Sequence, residues 1–409
     1  MSMKTAGTLV AAVAFAGLAG CGDGGMGPAG PGAGPGGAAA PQAPGELSLE
    51  RRAYIVSLES DELTVIDLDR LEIVGRVATA GRGNHMAELN ADFTKAYVSS
   101  PETNEAIVVD ARTLEVEKRI TVARHPTHVS ASRDGRLLAL VDEEANAVSF
   151  IDPVTDVEIK RLEGFYTPHF VRWAADGRHA YVANLGAHHL TQVDLATMAI
   201  SGHVVLEGFT GPPSAVEAPD EGGFADAQID RDGILYAAHR STGRVLVYDT
   251  RTETKLPELT VGPKPWIVYA EHPFANVTVR VVPNWGDMTV SLIDAKQSMM
   301  RVADAGDHDS NGVNYSSLAP DRAWVMNRLR NDIAVIDTTR GVIAKRIDVG
   351  GNTETASTTP DGKWIVAAVS SANRVVVIDA RTSEIVKTFE NVGKYPWSVT
   401  IPRGQNYCH

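Results

Sequence analysis

Cysteine is almost missing from this 409-residue chain, which holds only Cys21 and Cys408. If Cys21 is consumed at the N-terminus, no disulfide can form within the chain. The absence of Cys-x-x-Cys-His excludes covalent attachment of a c-type haem to this polypeptide. Gly-x-Ser-x-Gly, the P-loop and His-Glu-x-x-His are also absent, so the common serine-hydrolase, nucleotide and zinc-protease sites are excluded. No positive excess exists either. The formal charge of −13 argues against nucleic acid or anionic lipid headgroups as partners, and the acidic residues form no runs. Beyond residue 21 no apolar run is long enough to cross a bilayer.

The N-terminus reads as a processing signal. Lys4 supplies a positive start, and Ala6 to Ala19 form a short apolar core. Leu18-Ala19-Gly20-Cys21 resembles a bacterial lipobox, which implies cleavage before Cys21 and acylation of its thiol. Residues 22–45 are mostly Gly, Pro and Ala and cannot bury a core, so they read as a flexible tether. The expected organisation is a signal peptide over 1–21, a tether over 22–45 and one folded domain over 46–409. It places the chain in the bacterial envelope, held to the membrane through lipid on Cys21.

The folded part repeats. Residues 167–197 show one unit: apolar-rich strands separated by the Ala175-Asp176-Gly177 turn and by residues 185–188, then Asp194 and Thr197 in an Asp-x-x-Thr turn. A fourth strand, from Ile200 to Leu206, completes a meander. The acidic residue ending each third strand recurs as Asp67, Asp110, Asp152, Asp194, Asp249, Asp294, Asp337 and Asp379, at spacings of 43, 42, 42, 55, 45, 43 and 42. That period belongs to propeller blades. Inner strands are expected to open near His85, Thr127, His169, Ala225, Trp266, Asn314, Glu354 and Trp397. The fold class is therefore all-β, an eight-bladed β-propeller of four-stranded blades. The first blade has three N-terminal strands and must borrow Trp397 to Ile401 from the C-terminus, which closes the ring and removes exposed strand edges. The long spacing reflects an insertion over 208–224, a candidate lid or a tolerated loop.

The pieces AYVSS at Ala96, AYVAN at Ala180 and PDGKWIVAA at Pro360, with the eight aspartates, resemble YVTN-type repeat propellers. Eight blades in an envelope protein with this histidine placement also resemble the haem d1 propellers: the nitrite reductase d1 domain and the lipoprotein-like d1 biogenesis factors. The resemblance implies haem d1 as a possible cofactor. The missing c-haem motif departs from the nitrite reductases and argues against a self-contained enzyme of that kind.

Eight of the twelve histidines are expected on one rim: His85, His125, His128, His169 and His308 at inner-strand openings, and His188, His189 and His239 at turns between second and third strands. Neutral imidazole ligates transition metals and haem iron. His85, His128 and His169, from three consecutive blades, should converge on the channel mouth. They are the primary cofactor candidates, with Trp266 and Trp397 as aromatic walls and Trp285 on a nearby turn. His188, His189 and His239 complete the candidate metal ligands, while His203 lies on an outer strand. The tail, Gln405 to His409, is expected to lie as a free end over the opposite rim, away from these histidines.

Three functions fit: a haem- or metal-binding envelope lipoprotein acting as carrier, assembly factor or redox accessory to a partner protein; a cofactor-free interaction scaffold; or a copper oxidoreductase. A monomer is expected.

Overall fold

A computed structural model describes residues 48–212, 222–270 and 277–406. The proposed signal peptide and tether, Cys21, the middle of the 208–224 insertion, Cys408 and His409 lie outside the described residues.

Eight antiparallel sheets follow one another around a ring. In blade 4 the strands are Pro168–Trp173, His179–Asn184, His189–Asp194 and Ala199–Val205, from the axis outward. Alternation places one set of side chains against the preceding blade and the other against the next. Eight apolar clusters result, each centred on a seam between neighbours. Tyr54, Val56, Leu63 and Val65 of blade 1 meet Ala87, Ala96, Val98 and Ile107 of blade 2. Outer strands face water, so Val116–Thr121 and Val157–Glu163 are largely exposed. The third-strand aspartates act as turn caps. Asp110 Oδ1 accepts from the Thr113 N–H at 2.7 Å, Asp194 Oδ1 from Thr197 at 2.8 Å and Asp379 Oδ1 from Thr382 at 3.1 Å.

The ring closes as the sequence predicts. Pro396–Thr400 pairs antiparallel with Arg52–Ser57, matching Tyr54 with Thr400 and Ile55 with Val399. Three details differ from the sequence reading. The inner strand of blade 7 is Ser310–Tyr315, so it opens at Ser310 rather than near Asn314. In blade 6 the inner segment is joined to its neighbour only by bridges, Pro265 to Asn284 and Tyr269 to Val281; the prolines at 263 and 265 remove ladder donors there. The tail is not a free end, as far as it is described. Gln405–Asn406 adds a fifth strand to blade 8, pairing with Thr358 and Ser357 at the end of the inner strand away from the histidines. Gln405 is 2% exposed, and its Oε1 accepts from the Tyr315 N–H of blade 7 at 2.7 Å. Gln405 and Asn406 therefore lie away from the histidine rim, but they are built into the sheet rather than free.

At the histidine end every inner strand carries an irregularity. Register shifts leave Trp397, His169 and Asn311 as extra residues, and leave Thr127-His128, Ala225-Asp226 and Glu354-Thr355 as pairs facing one partner. In blade 2, His85 N–H donates to Ser99 O while Ser99 N–H donates to Met86 O, so two residues again oppose one. A bulge re-aims the side chain it carries.

Candidate metal centre at the bulged rim

The bulges build a first circle of side chains: Trp397, His85, His128, His169, Ala225, Trp266, Asn311 and Glu354. Three neighbouring imidazoles touch. The His85 and His128 rings lie 4.9 Å apart, centre to centre, and His128 and His169 lie 4.2 Å apart. Trp397 flanks His85 at 5.3 Å and Trp266 flanks His169 at 5.8 Å. The structure thus brings together all five side chains that the sequence nominates as the cofactor site.

A second circle stands just beyond the second strands. Its members Glu143, Arg240, Trp285 and Arg328 follow Asp142, His239, Asn284 and Asn327 directly. Glu143 completes the histidine cluster: one ligand atom each from His128, Glu143 and His169 falls within 4.8 Å of the others. Thr127 Oγ1 donates to Glu143 Oε1 at 2.8 Å, and His128 Nδ1 lies 3.5 Å from the same oxygen. His169 Nδ1–H donates to the Ala225 carbonyl at 2.7 Å, which fixes its tautomer and leaves the lone pair on Nε2. Sequence reasoning missed Glu143 because it weighed histidines rather than the blade position. Aligning the residue after each second strand would have exposed Glu143, Arg240 and Arg328 together.

The cluster is poised to donate electron pairs. Burial, reinforced by repulsion from His128, pushes His169 down to about 3 and His85 well below the usual imidazole range. Burial opposes ionisation of Glu143, but the hydrogen bonds from His128 and Thr127, and any positive charge on the neighbouring imidazoles, hold it below the usual carboxylate range. Neutral imidazoles beside an ionised carboxylate form the donor set for a divalent transition ion. Two imidazoles on one such ion, each about 2.0–2.1 Å from it, sit roughly 3 Å apart at near-tetrahedral or square angles. The ligand atoms of His128, Glu143 and His169, within 4.8 Å of one another, stand wider than that and would have to draw in to share an ion.

The opposite side of the mouth differs. Trp266 and Trp285 stack at 4.4 Å, and the Arg240 guanidinium lies 4.5 Å from each ring centre. Arg328 pairs with fully buried Glu354 and with Asp309 at 2.8 Å. An open trough of about 470 Å³, lined in part by Leu58, Arg82, His85, Pro101 and His125, reaches His85 from outside.

Among the described residues the other candidate histidines do not join this centre. His188 and His239 pair with each other across the seam of blades 4 and 5, Nδ1 to Nε2 at 2.9 Å. His189 packs 4.8 Å from His203, whose ring therefore faces another imidazole rather than open solvent. His308 Nδ1–H donates to the Trp285 carbonyl, and His125 is half-exposed near Glu144.

No protein-family model and no curated protein matches the chain. Solved structures do. Dihydro-heme d1 dehydrogenase NirN, in complex with DHE, superposes with a TM-score of 0.73 at 17% identity, over 89% of this chain and 78% of the other. The chain shares its fold with a haem d1 propeller. Hydrazine synthase of Kuenenia stuttgartiensis gives a TM-score of 0.56 at 18% identity, over 74% of this chain and 96% of that one. AztD of Citrobacter koseri gives 0.61 at 11%, over 85% and 96%. At these identities the likeness is one of fold, and the bound DHE belongs to NirN.

Proposed function

We propose that this protein is a lipid-tethered propeller of the bacterial envelope that holds a transition metal ion at His128, Glu143 and His169, as a carrier or as a redox accessory to a partner protein. The observation that carries this reading is the convergence of two imidazoles and a carboxylate on one point, with His85 against the same cluster. Zinc and copper are the ions such a set favours, and copper adds one-electron chemistry when bound. His169 is oriented by the Ala225 carbonyl and Glu143 by Thr127, so the donors are held before an ion arrives. The lipobox at Cys21 supports the envelope assignment.

The test is titration of metal-stripped protein with Zn²⁺ and with Cu²⁺ by calorimetry, against His128→Ala, His169→Ala and Glu143→Gln. Loss of either imidazole should weaken binding at least tenfold. Wild type that binds neither ion tightly, or variants that bind as wild type does, would return the protein to the interaction-scaffold reading.

A second reading is a haem d1-type ligand. It is favoured by the flat Trp266–Trp285 wall with Arg240 against it, which suits a planar, acid-bearing ring, and by the fold shared with NirN. The residues fit an ion better. An axial haem ligand needs its lone pair open to the ring, whereas His128 and His169 are buried and His128 lies against both His85 and His169. An absorption spectrum of protein purified from its own envelope separates the two, since only the haem absorbs strongly in the visible.

A further inference from the structure

The paired histidines at the seam of blades 4 and 5 do not belong to the rim centre and have a geometry of their own. His188 sits in the turn before the third strand of blade 4, and His239 ends the second strand of blade 5. Their facing nitrogens, His188 Nδ1 and His239 Nε2, are 2.9 Å apart. Two imidazoles bound side by side to one divalent ion at about 2.0–2.1 Å place their nitrogens at nearly this separation. His239 is fully buried, while His188 is part-exposed, so an ion between them has a wall behind it and water in front. Phe209 stacks on His188 at 4.0 Å and Phe224 lies 4.9 Å from His239, which fixes both ring planes.

From these contacts we propose that His188 and His239 form a second metal site, a two-imidazole chelate with its remaining positions filled by water. Each ring must offer a lone pair at the shared point, so the hydrogen now between them has to reside on the far nitrogens. The structure provides for this on the buried side. His239 Nδ1 is 2.9 Å from Thr242 Oγ1, which can accept its hydrogen and leave Nε2 bare. His188 then carries its hydrogen on Nε2. Both rings remain neutral throughout, no proton is lost, and the ion replaces the ring-to-ring hydrogen bond. The site links two blades where the 208–224 connection begins, and none of its ligands is shared with the rim centre.

The experiment is Cu²⁺ binding to the full chain by equilibrium dialysis, with electron paramagnetic resonance reporting the bound species. Wild type should bind two ions in two distinct environments, the second more weakly because it has fewer protein ligands. His188→Ala and His239→Ala should each lose one ion and one spectral species. His239→Gln, which keeps a hydrogen-bonding side chain in the buried position, should lose the same ion while retaining the wild-type melting curve. The double variant His128→Ala/His169→Ala should still bind one ion, displaying the spectrum lost from the seam variants. Unchanged stoichiometry in all three seam variants, or no ion bound by the double variant, overturns the second site. If wild type binds a single ion that is lost with His239→Gln and kept in the double variant, the seam site stands and the rim centre falls.

Discussion

Closure of the ring can be tested by shortening the C-terminus in two steps. Deleting residues 395–409 removes the inner strand of blade 1. Val399 and Ile401 are 2% and 0% exposed in the seam between blades 8 and 1, and burying each contributes about 1.5–3 kcal/mol. The strand is paired from Pro396 to Thr400, and each ladder bond contributes about 1 kcal/mol net. The loss also bares the edge of Arg52–Ser57. Together these terms reach about 8 kcal/mol, comparable with the whole stability of an ordinary domain at about 5–15 kcal/mol. The shortened chain should therefore lose its cooperative melt and expose a sticky strand edge. Deleting only residues 405–409 is milder. It removes the Gln405 acceptor from the buried Tyr315 N–H and the two hydrogen bonds between Asn406 and the Ile401 backbone. The expected cost is about 2 kcal/mol, a Tm loss of a few degrees. Circular dichroism melts and size-exclusion chromatography read both. If the longer deletion melts cooperatively at the wild-type temperature, the C-terminal strand does not close the ring.

Acid should destabilise the metal-free protein. His169, His189 and His239 sit at about 3, 4 and 3, burial being the main cause in each, against about 6.5 when unfolded. Below pH 6.5 the unfolded chain therefore binds more protons at these sites, and each costs about 2 kcal/mol between pH 6.5 and 5. Burial raises Glu88 and Asp142 to about 7, and over the same window these two protonate in the fold and offset part of the loss. The net fall of about 2 kcal/mol is measurable by urea denaturation at the two pH values, and a flat or rising stability at pH 5 would refute it. Asp226 is 1% exposed and forked onto Arg172, with Gln228 on its second oxygen at 2.6 Å. Asp226→Ala should cost about 3 kcal/mol by removing the buried carboxylate that both Arg172 and Gln228 bond, and an unchanged denaturation midpoint would show the pair to be dispensable. Cys21→Ser should move the exported protein from the membrane to the soluble periplasmic fraction; retention in the membrane pellet would count against the lipid anchor.

Much of this fold was legible because it repeats. A period near 42, a capping aspartate per repeat and a first blade one strand short were enough to define eight blades and the way they close. The contacts of His85, His128 and His169 followed, since equivalent positions in adjacent blades must be neighbours at the axis. What remained hidden depends on register. Strand alternation does not reveal a bulge, so the opening of blade 7 was displaced from Ser310 to Asn314. Glu143 and Arg328 carry no local sequence signal, because only the ring geometry turns the residue after a second strand toward the mouth. The separation of His188 and His239 from His189 and His203 was equally invisible. Although the two are neighbours in sequence, His188 pairs with blade 5 while His189 packs on His203 of its own blade.

The bulges around the mouth have a consequence for how such proteins diverge. A side chain re-aimed by a bulge projects toward the mouth instead of packing in a regular cross-strand pair, so its identity can change with little disturbance to the sheet that carries it. Eight such positions form a panel on which Trp, His, His, His, Ala, Trp, Asn and Glu are one setting among many. Swapping a few of them would retarget the mouth while the blades stayed as they are. Ligand preference in this architecture can therefore drift quickly beneath a constant outline, and kinship in shape says little about cargo until those eight letters are read.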